Sequence, residues 1–336
     1  MWYDLKKFNV EGRGWDNPND YYSRLPAKAE ATVPEPVWRL SSSTSGMVAR
    51  FVTDSDSISV KWKLRLEKLE MRHMPASGVS GVDLYVRHKG QWRWLAIGIP
   101  SAIENESVLR DELPREKREY ALYLPLYNGV EYVEIGISDD ATIEAAPPRT
   151  RNIKPVVFYG SSITQGACAS RPGMVYTSII GRHLDIPTMN LGFNGSGRCE
   201  HEVSDILAEL DPEIYILDCM PNPEVEFLDE RLRYLIKLLK EKHPNTPVVL
   251  VGLYLAPGKF LSKNPRYDEK NRILEKVFGD YKDEWNGNLY YVKGSDLYGN
   301  DGEATVDGCH ASDVGFMRMA EVIEPVIAKI LDDLRV

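Results

Sequence analysis

Ser162, Asp307 and His310 are the residues whose types and spacing can do chemistry together in this chain. The serine closes the stretch Val156-Val157-Phe158-Tyr159-Gly160-Ser161-Ser162, an apolar run that predicts a buried strand delivering a hydroxyl into a turn. Near the other end, Asp307-Gly308-Cys309-His310 sets a carboxylate and an imidazole three residues apart. An imidazole can take the proton of a serine hydroxyl while a carboxylate holds its tautomer, so the set predicts acyl transfer through a serine nucleophile. Plainer uses exist for each. Ser162 could cap a helix after the strand, and Asp307 with His310 could be a turn pair. Their joint presence favours chemistry, because the pair precedes the last helical pattern and can reach back over the same sheet edge.

The elements around them predict how they are positioned. Apolar runs at Val156 to Tyr159, Pro187 to Leu191, Ile214 to Leu217, Val248 to Leu253 and Leu289 to Val292 alternate with helical patterns, of which Val225, Leu228, Leu232, Leu235, Ile236 and Leu239 is the clearest. Short apolar strands between amphipathic helices predict a parallel sheet covered on both faces. Ligands bind at the carboxyl ends of such strands. Those ends carry Gly160-Ser161-Ser162, then Gly192-Phe193-Asn194-Gly195-Ser196-Gly197, then Asp218-Cys219-Met220-Pro221-Asn222. A hydroxyl, uncrowded backbone N–H groups and a side-chain amide are what a nucleophile with an oxyanion hole needs. Gly195 could instead serve only a turn with positive φ, and Asn222 could cap the helix that Pro223 opens. Ser312 to Leu334 reads as a closing helix with Ser312 as its cap.

The first half has another period. Ile58, Val60, Trp62, Leu64 and Leu66 alternate with Ser59, Lys61, Lys63, Arg65 and Glu67, which puts one face on a core and the other in water. Similar runs at Met47 to Val52, Val82 to Arg87, Trp92 to Ile99, Tyr120 to Leu124 and Val130 to Ile137 predict an antiparallel sandwich. The paired prolines of Ala145-Ala146-Pro147-Pro148 suit neither a helix interior nor a central strand, so we divide the chain into 1–150 and 151–336. At 336 residues and 43% hydrophobic, the chain has material for two cores. Six of its seven tryptophans precede residue 95, where they either complete the sandwich core or stack on sugars.

Several function classes drop out. With 41 basic against 50 acidic residues and a net charge of −9, a phosphate-backbone binder is not expected. No run approaches the roughly 18 apolar residues of a membrane span. Gly192, Gly195 and Gly197 reverse the order of a dinucleotide fingerprint, and neither a His-Glu-x-x-His nor a Cys-x-x-Cys motif occurs. Neither a metal nor an organic cofactor is expected. The four cysteines read as free thiols packed among apolar side chains. The start of the chain lacks a secretory core, which places the protein inside the cell unless a leader has been removed from it. His73, in the loop Glu70-Met71-Arg72-His73-Met74-Pro75 between two strand patterns, is the other histidine that could extend over the site.

The blocks from Pro155 onward resemble the GDSL-like or SGNH hydrolase superfamily, whose marks are a Gly-Asp-Ser turn, a later glycine, a later asparagine and a terminal Asp-x-x-His. Gly81-Val82-Asp83-Leu84-Tyr85 resembles the Gly-x-Asp-Leu-Tyr signature of the β-rich domain that precedes it in bacterial proteins. The resemblance implies a jelly-roll-like sandwich followed by a flavodoxin-like three-layer α/β/α domain. It implies Ser162 as nucleophile, His310 as base, Asp307 as its orienter, and Ser162, Gly195 and Asn222 as oxyanion donors. Ser161 stands where many members carry Asp, and Met220-Pro221-Asn222-Pro223 departs from the usual Gly-x-Asn-Asp form. Related two-domain enzymes are carbohydrate esterases that often remove acetyl groups, so a saccharide ester is the implied substrate. An acyltransferase using the same residues and a non-catalytic carbohydrate-binding protein are the alternatives. The oligomeric state is not legible.

Overall fold

The computed structural model describes residues 1–17, 19–254, 261 and 265–335. Nine strands form the first half: β1 (Trp2–Asp4), β2 (Val48–Thr53), β3 (Ile58–Leu64), β4 (Val82–His88), β5 (Gln91–Gly98), β6 (Glu104–Arg110), β7 (Arg118–Tyr123), β8 (Val130–Ile137) and β9 (Ile143–Ala145). They make two antiparallel sheets, ordered β1-β8-β3-β6 and β5-β4-β7-β2-β9. Between them lies one core, with Trp62, Phe51, Leu84, Tyr120 and Val133 among its buried side chains. The alternation in β3 is realised residue by residue, with Ile58, Val60, Trp62 and Leu64 buried and the intervening polar side chains partly exposed. Strands β1, β6 and β9 lack such a pattern. In β6 only Leu109 is buried, so an edge strand with charges on its wet face leaves little period to read.

The second half adds β10 (Val156–Gly160), β11 (Thr188–Gly192), β12 (Ile214–Asp218), β13 (Val248–Val251) and β14 (Leu289–Val292), all parallel and ordered β11-β10-β12-β13-β14. Every residue of β10, β11 and β12 is buried, as a sheet covered on both faces requires. Helices Tyr176–His183 and Asp313–Asp333 pack together, and helix Val225–Lys242 packs with His201–Leu207 and Pro265–Tyr281. The long helix Val225–Lys242 buries Leu228, Leu232, Leu235, Ile236 and Leu239, the stripe its spacing predicts. Among the described residues no helix is long and apolar enough to cross a membrane.

Two interlocks join the halves. In β4, Leu84 enters the sandwich core while Asp83 and Tyr85 face the other way. Asp83, fully buried, accepts hydrogen bonds from the Gly173 N–H at 2.8 Å, Arg171 at 2.9 Å and Trp94 Nε1 at 2.8 Å. The Arg182 guanidinium lies 4.0 Å from the Tyr85 ring centre. The Gly-x-Asp-Leu-Tyr segment is thus a fastening: Leu84 serves the sandwich core, while Asp83 and Tyr85 hold Gly173, Arg171 and Arg182 of the second half. The second interlock is Leu25, Ala29, Val33 and Val37, which belong to the core of the parallel sheet despite their place early in the chain. Arg24, buried beside them, donates to the carbonyls of Asn190 at 3.1 Å and Gly192 at 2.7 Å, and to those of Leu40 and Ser43. Burial without a carboxylate partner pushes its guanidinium down to about 9.

Candidate active site

The site stands where three strands end level. Gly160 pairs with Gly192 on one side and with Asp218 on the other, so the segments that follow begin side by side. Their closeness depends on missing side chains. A Cβ at Gly192 would lie 2.1 Å from the Gln165 nitrogen, and one at Gly160 would lie 2.4 Å from the Asp218 carbonyl oxygen.

Helix Ser162–Gln165 begins directly after β10, and its cap is Ser161, whose hydroxyl accepts the Ile163 N–H at 3.2 Å. That contact takes the capping task from Ser162 and leaves its hydroxyl for other partners. Ser162 Oγ lies 3.0 Å from His310 Nε2, and His310 Nδ1 lies 2.7 Å from Asp307 Oδ2. Asp307 is set by its own turn: Oδ1 accepts the N–H groups of Cys309 at 3.0 Å and His310 at 2.8 Å. Burial would raise this carboxyl, but the hydrogen bonds from the His310 side chain and from the two backbone groups outweigh it and hold it down to about 2. The turn is closed by the Val306 N–H on the His310 carbonyl at 2.9 Å, just before Ser312 caps helix Asp313–Asp333.

Gly195 and Asn222 lie on the two neighbouring segments. Gly195 has φ +63°, and a side chain there would meet no atom within 4 Å. Among the described residues no acceptor faces the N–H of Ser162 or of Gly195. Asn222 is not the cap of helix Val225–Lys242, a place held by Glu224. Its amide nitrogen donates to the Ser196 carbonyl and, at 3.4 Å, to that of Phe193. The asparagine is thereby tied to the Gly195 loop. Cys199 and Cys219 meet between the same two segments, their sulfurs 2.6 Å apart, and all four cysteines are free.

Other residues of the site were not legible. Gln165 Oε1 accepts the Asn194 N–H at 2.9 Å, and its amide donates to Leu126 O at 3.1 Å, which braces the Gly195 loop against the first half of the chain. Tyr127 donates to the Ser162 carbonyl at 3.1 Å. Beneath the turn, Asp218 accepts from Thr164 Oγ1 at 3.0 Å and the Tyr176 hydroxyl at 2.9 Å. Complete burial pushes its carboxyl up to about 7 against those two hydrogen bonds. His73 does reach the site, its ring centre 5.5 Å from that of His310. The remaining histidines lie elsewhere in the structure: His183 pairs with Glu324, His201 with Glu230, His243 bonds the Ala208 carbonyl, and His88 is exposed.

A parallel sheet between helices, with a serine after its first strand and an Asp-x-x-His turn before its last helix, is the arrangement of an SGNH-type hydrolase. Residues 153–328 match the GDSL-like lipase/acylhydrolase family, and residues 1–143 match the N-terminus of SGNH-hydrolase-type esterases. The chain belongs to the GDSL-like lipase/acylhydrolase family. A Bacteroides ovatus protein described as a GDSL-like lipase is 32% identical, with 99% of this chain and 98% of that one covered and a TM-score of 0.92. Two more distant structures share the fold. The salicylyl-acyltransferase SsfX3 of a tetracycline biosynthetic pathway is 18% identical, with 98% and 97% covered and a TM-score of 0.74. A family two carbohydrate esterase from Clostridium thermocellum, in complex with cellohexaose, is 17% identical, with 86% and 93% covered and a TM-score of 0.61. No curated protein matches the chain.

Proposed function

We propose that this protein is a serine esterase that hydrolyses small acyl esters, acetyl groups on carbohydrates foremost, through Ser162, His310 and Asp307. The observation that carries this reading is the unbroken line Ser162 Oγ, His310, Asp307, with separations of 3.0 and 2.7 Å. His310 Nε2 takes the hydroxyl proton as Ser162 attacks the ester carbonyl, and Asp307 stabilises the imidazolium. The N–H groups of Ser162 and Gly195 receive the developing oxyanion, joined by the Asn222 amide when the N–H that meets the Phe193 carbonyl at 3.4 Å turns from it. Collapse breaks the ester bond, and the proton on Nε2 leaves with the alcohol. Water, deprotonated by the same nitrogen, then releases the acid and restores Ser162. A saccharide alcohol is suggested by the carbohydrate esterases that share the fold. The units of the reading are 1–150 and 151–336, the first completing the core of the second through Leu25, Ala29, Val33 and Val37.

The test is acetate release from acetylated oligosaccharides beside a series of simple esters of rising acyl length. Ser162→Ala is expected to lower kcat by about 10⁴-fold or more. An active Ser162→Ala protein overturns the nucleophile, and turnover confined to long acyl chains overturns the acetyl assignment. A competing alcohol acceptor separates hydrolysis from acyl transfer.

A further inference from the structure

We propose that His73, Cys168, Asp307 and His310 form a zinc site that switches the esterase off. The inhibitory part rests on the function proposed above; the site itself does not. One ring nitrogen from each histidine, the Cys168 sulfur and one Asp307 oxygen lie within 4.8 Å of one another. Zinc bonds of about 2.0–2.3 Å in a tetrahedron set neighbouring ligand atoms about 3.3–3.8 Å apart, so the widest separations must close by about an ångström while the hydrogen-bonded pair His310 Nδ1 and Asp307 Oδ2, 2.7 Å apart, must open by a smaller amount. His73 can supply the closing movement, and rotation of the Asp307 carboxylate the opening one. The residue is exposed, in the stretch between β3 and β4, and among the described residues no hydrogen bond or ion pair holds its imidazole.

The donors also select the ion. Two imidazoles, a thiolate and a carboxylate suit zinc, whereas calcium and magnesium take sets made of oxygen. No sequence spacing announces the site, because its ligands come from four places: the loop after β3, the segment after helix Ser162–Gln165, and both ends of the Asp307 turn.

Binding there disarms the base by a proton shift. In the proposed complex the ion takes His310 Nδ1 together with the Asp307 carboxylate, and replaces the hydrogen bond that now joins them. The ring proton moves from Nδ1 to Nε2, where it faces Ser162 Oγ at 3.0 Å. A nitrogen that carries a proton and no lone pair cannot accept another. Cys168 binds as thiolate and gives its one proton to water. No electron changes hands, and a chelator that removes the ion returns both protons to their places.

The experiment uses the full chain in a buffer that does not bind metal. Zinc is expected to abolish turnover of a simple acetyl ester, with recovery on adding a chelator. Cys168→Ser is expected to keep the metal-free rate, and the zinc response of His73→Gln is read against that variant's own metal-free rate. Residues that merely support a metal ligand are worth about 10–100-fold in affinity, so loss of a ligand should raise the half-inhibiting zinc concentration by about 100-fold. Cobalt(II) in place of zinc is expected to give thiolate-to-cobalt absorption that Cys168→Ser removes. This arm reads the site without any substrate, so a chain that lacks esterase activity yet shows the absorption keeps the metal site and loses the proposed function. Equal zinc sensitivity in the natural chain and both variants, or no thiolate absorption with cobalt, overturns the proposal.

Discussion

Asparagine at position 307 is expected to stop turnover by reversing a single hydrogen bond. Asp307 divides its oxygens: Oδ1 accepts the N–H groups of Cys309 and His310 at 3.0 and 2.8 Å, and Oδ2 lies 2.7 Å from His310 Nδ1. An asparagine has one acceptor oxygen, and the two backbone donors claim it, since the opposite orientation would set donors against donors. The amide nitrogen is then left opposite Nδ1 and donates to it. Nδ1 must be bare to accept, so the ring proton sits on Nε2, 3.0 Å from Ser162 Oγ. The imidazole can no longer take the serine proton. The corresponding change in a chymotrypsin-type protease lowers kcat about 10⁴-fold, or about 5.5 kcal/mol on the barrier. The assay is the initial rate on a simple acetyl ester, with thermal unfolding of the variant measured beside it. Both backbone hydrogen bonds survive, so the unfolding temperature is expected to stay close to that of the natural chain. A folded Asp307→Asn protein whose kcat lies within about tenfold of the natural value would refute the tautomer argument.

Asn222→Ala is expected to lower kcat by about 10²-fold or more if the amide is an oxyanion donor; an unchanged rate in a folded variant would return Asn222 to a loop tie. Asp218 makes stability depend on pH. Its carboxyl titrates at about 7 when folded against an ordinary 3.8, so from about pH 4 to pH 7 the folded chain holds the extra proton. Stability therefore falls as pH rises through that window, by on the order of a few kcal/mol. Denaturant unfolding at a series of pH values should show this slope, and Asp218→Asn should flatten it; equal slopes would remove Asp218 as the cause. Residues 151–336 produced alone should be poorly soluble, because Leu25, Ala29, Val33 and Val37 no longer cover the parallel-sheet core; a soluble fragment with cooperative unfolding would show the second unit to be independent.

Local chemistry was legible wherever it is written at short range. The period of two in β3 and the apolar stripe of helix Val225–Lys242 are properties of neighbouring residues, and both are realised up to their ends, where β3 stops at Leu64 and leaves Leu66 exposed, and Val225 is only partly buried at the helix start. Edge strand β6 escaped because one buried leucine among charged neighbours carries no period. The capping alternatives were resolved by neighbours one or two positions away: Ser161 caps in place of Ser162, while helix Val225–Lys242 starts after Glu224, whose side chain makes no capping hydrogen bond, and so leaves Asn222 outside the helix end. Spacing cannot separate such adjacent choices, since each is a polar residue beside the same helix start.

What the sequence determined by itself is the stock of polar groups and one piece of geometry, the Asp307–His310 pair, because three residues of backbone suffice to bring a carboxylate within hydrogen-bond distance of the imidazole. The tertiary structure alone decided what that pair meets. Ser162 is 148 residues from His310, and their approach follows from strand register, which sets Gly160, Gly192 and Asp218 level at one rim. The same register brings Gln165 beneath the Gly195 loop, and docking of the first half brings Tyr127 and His73 to the serine and the histidine. No local pattern encodes these meetings. They arise from packing two cores whose residues are drawn from distant parts of the chain.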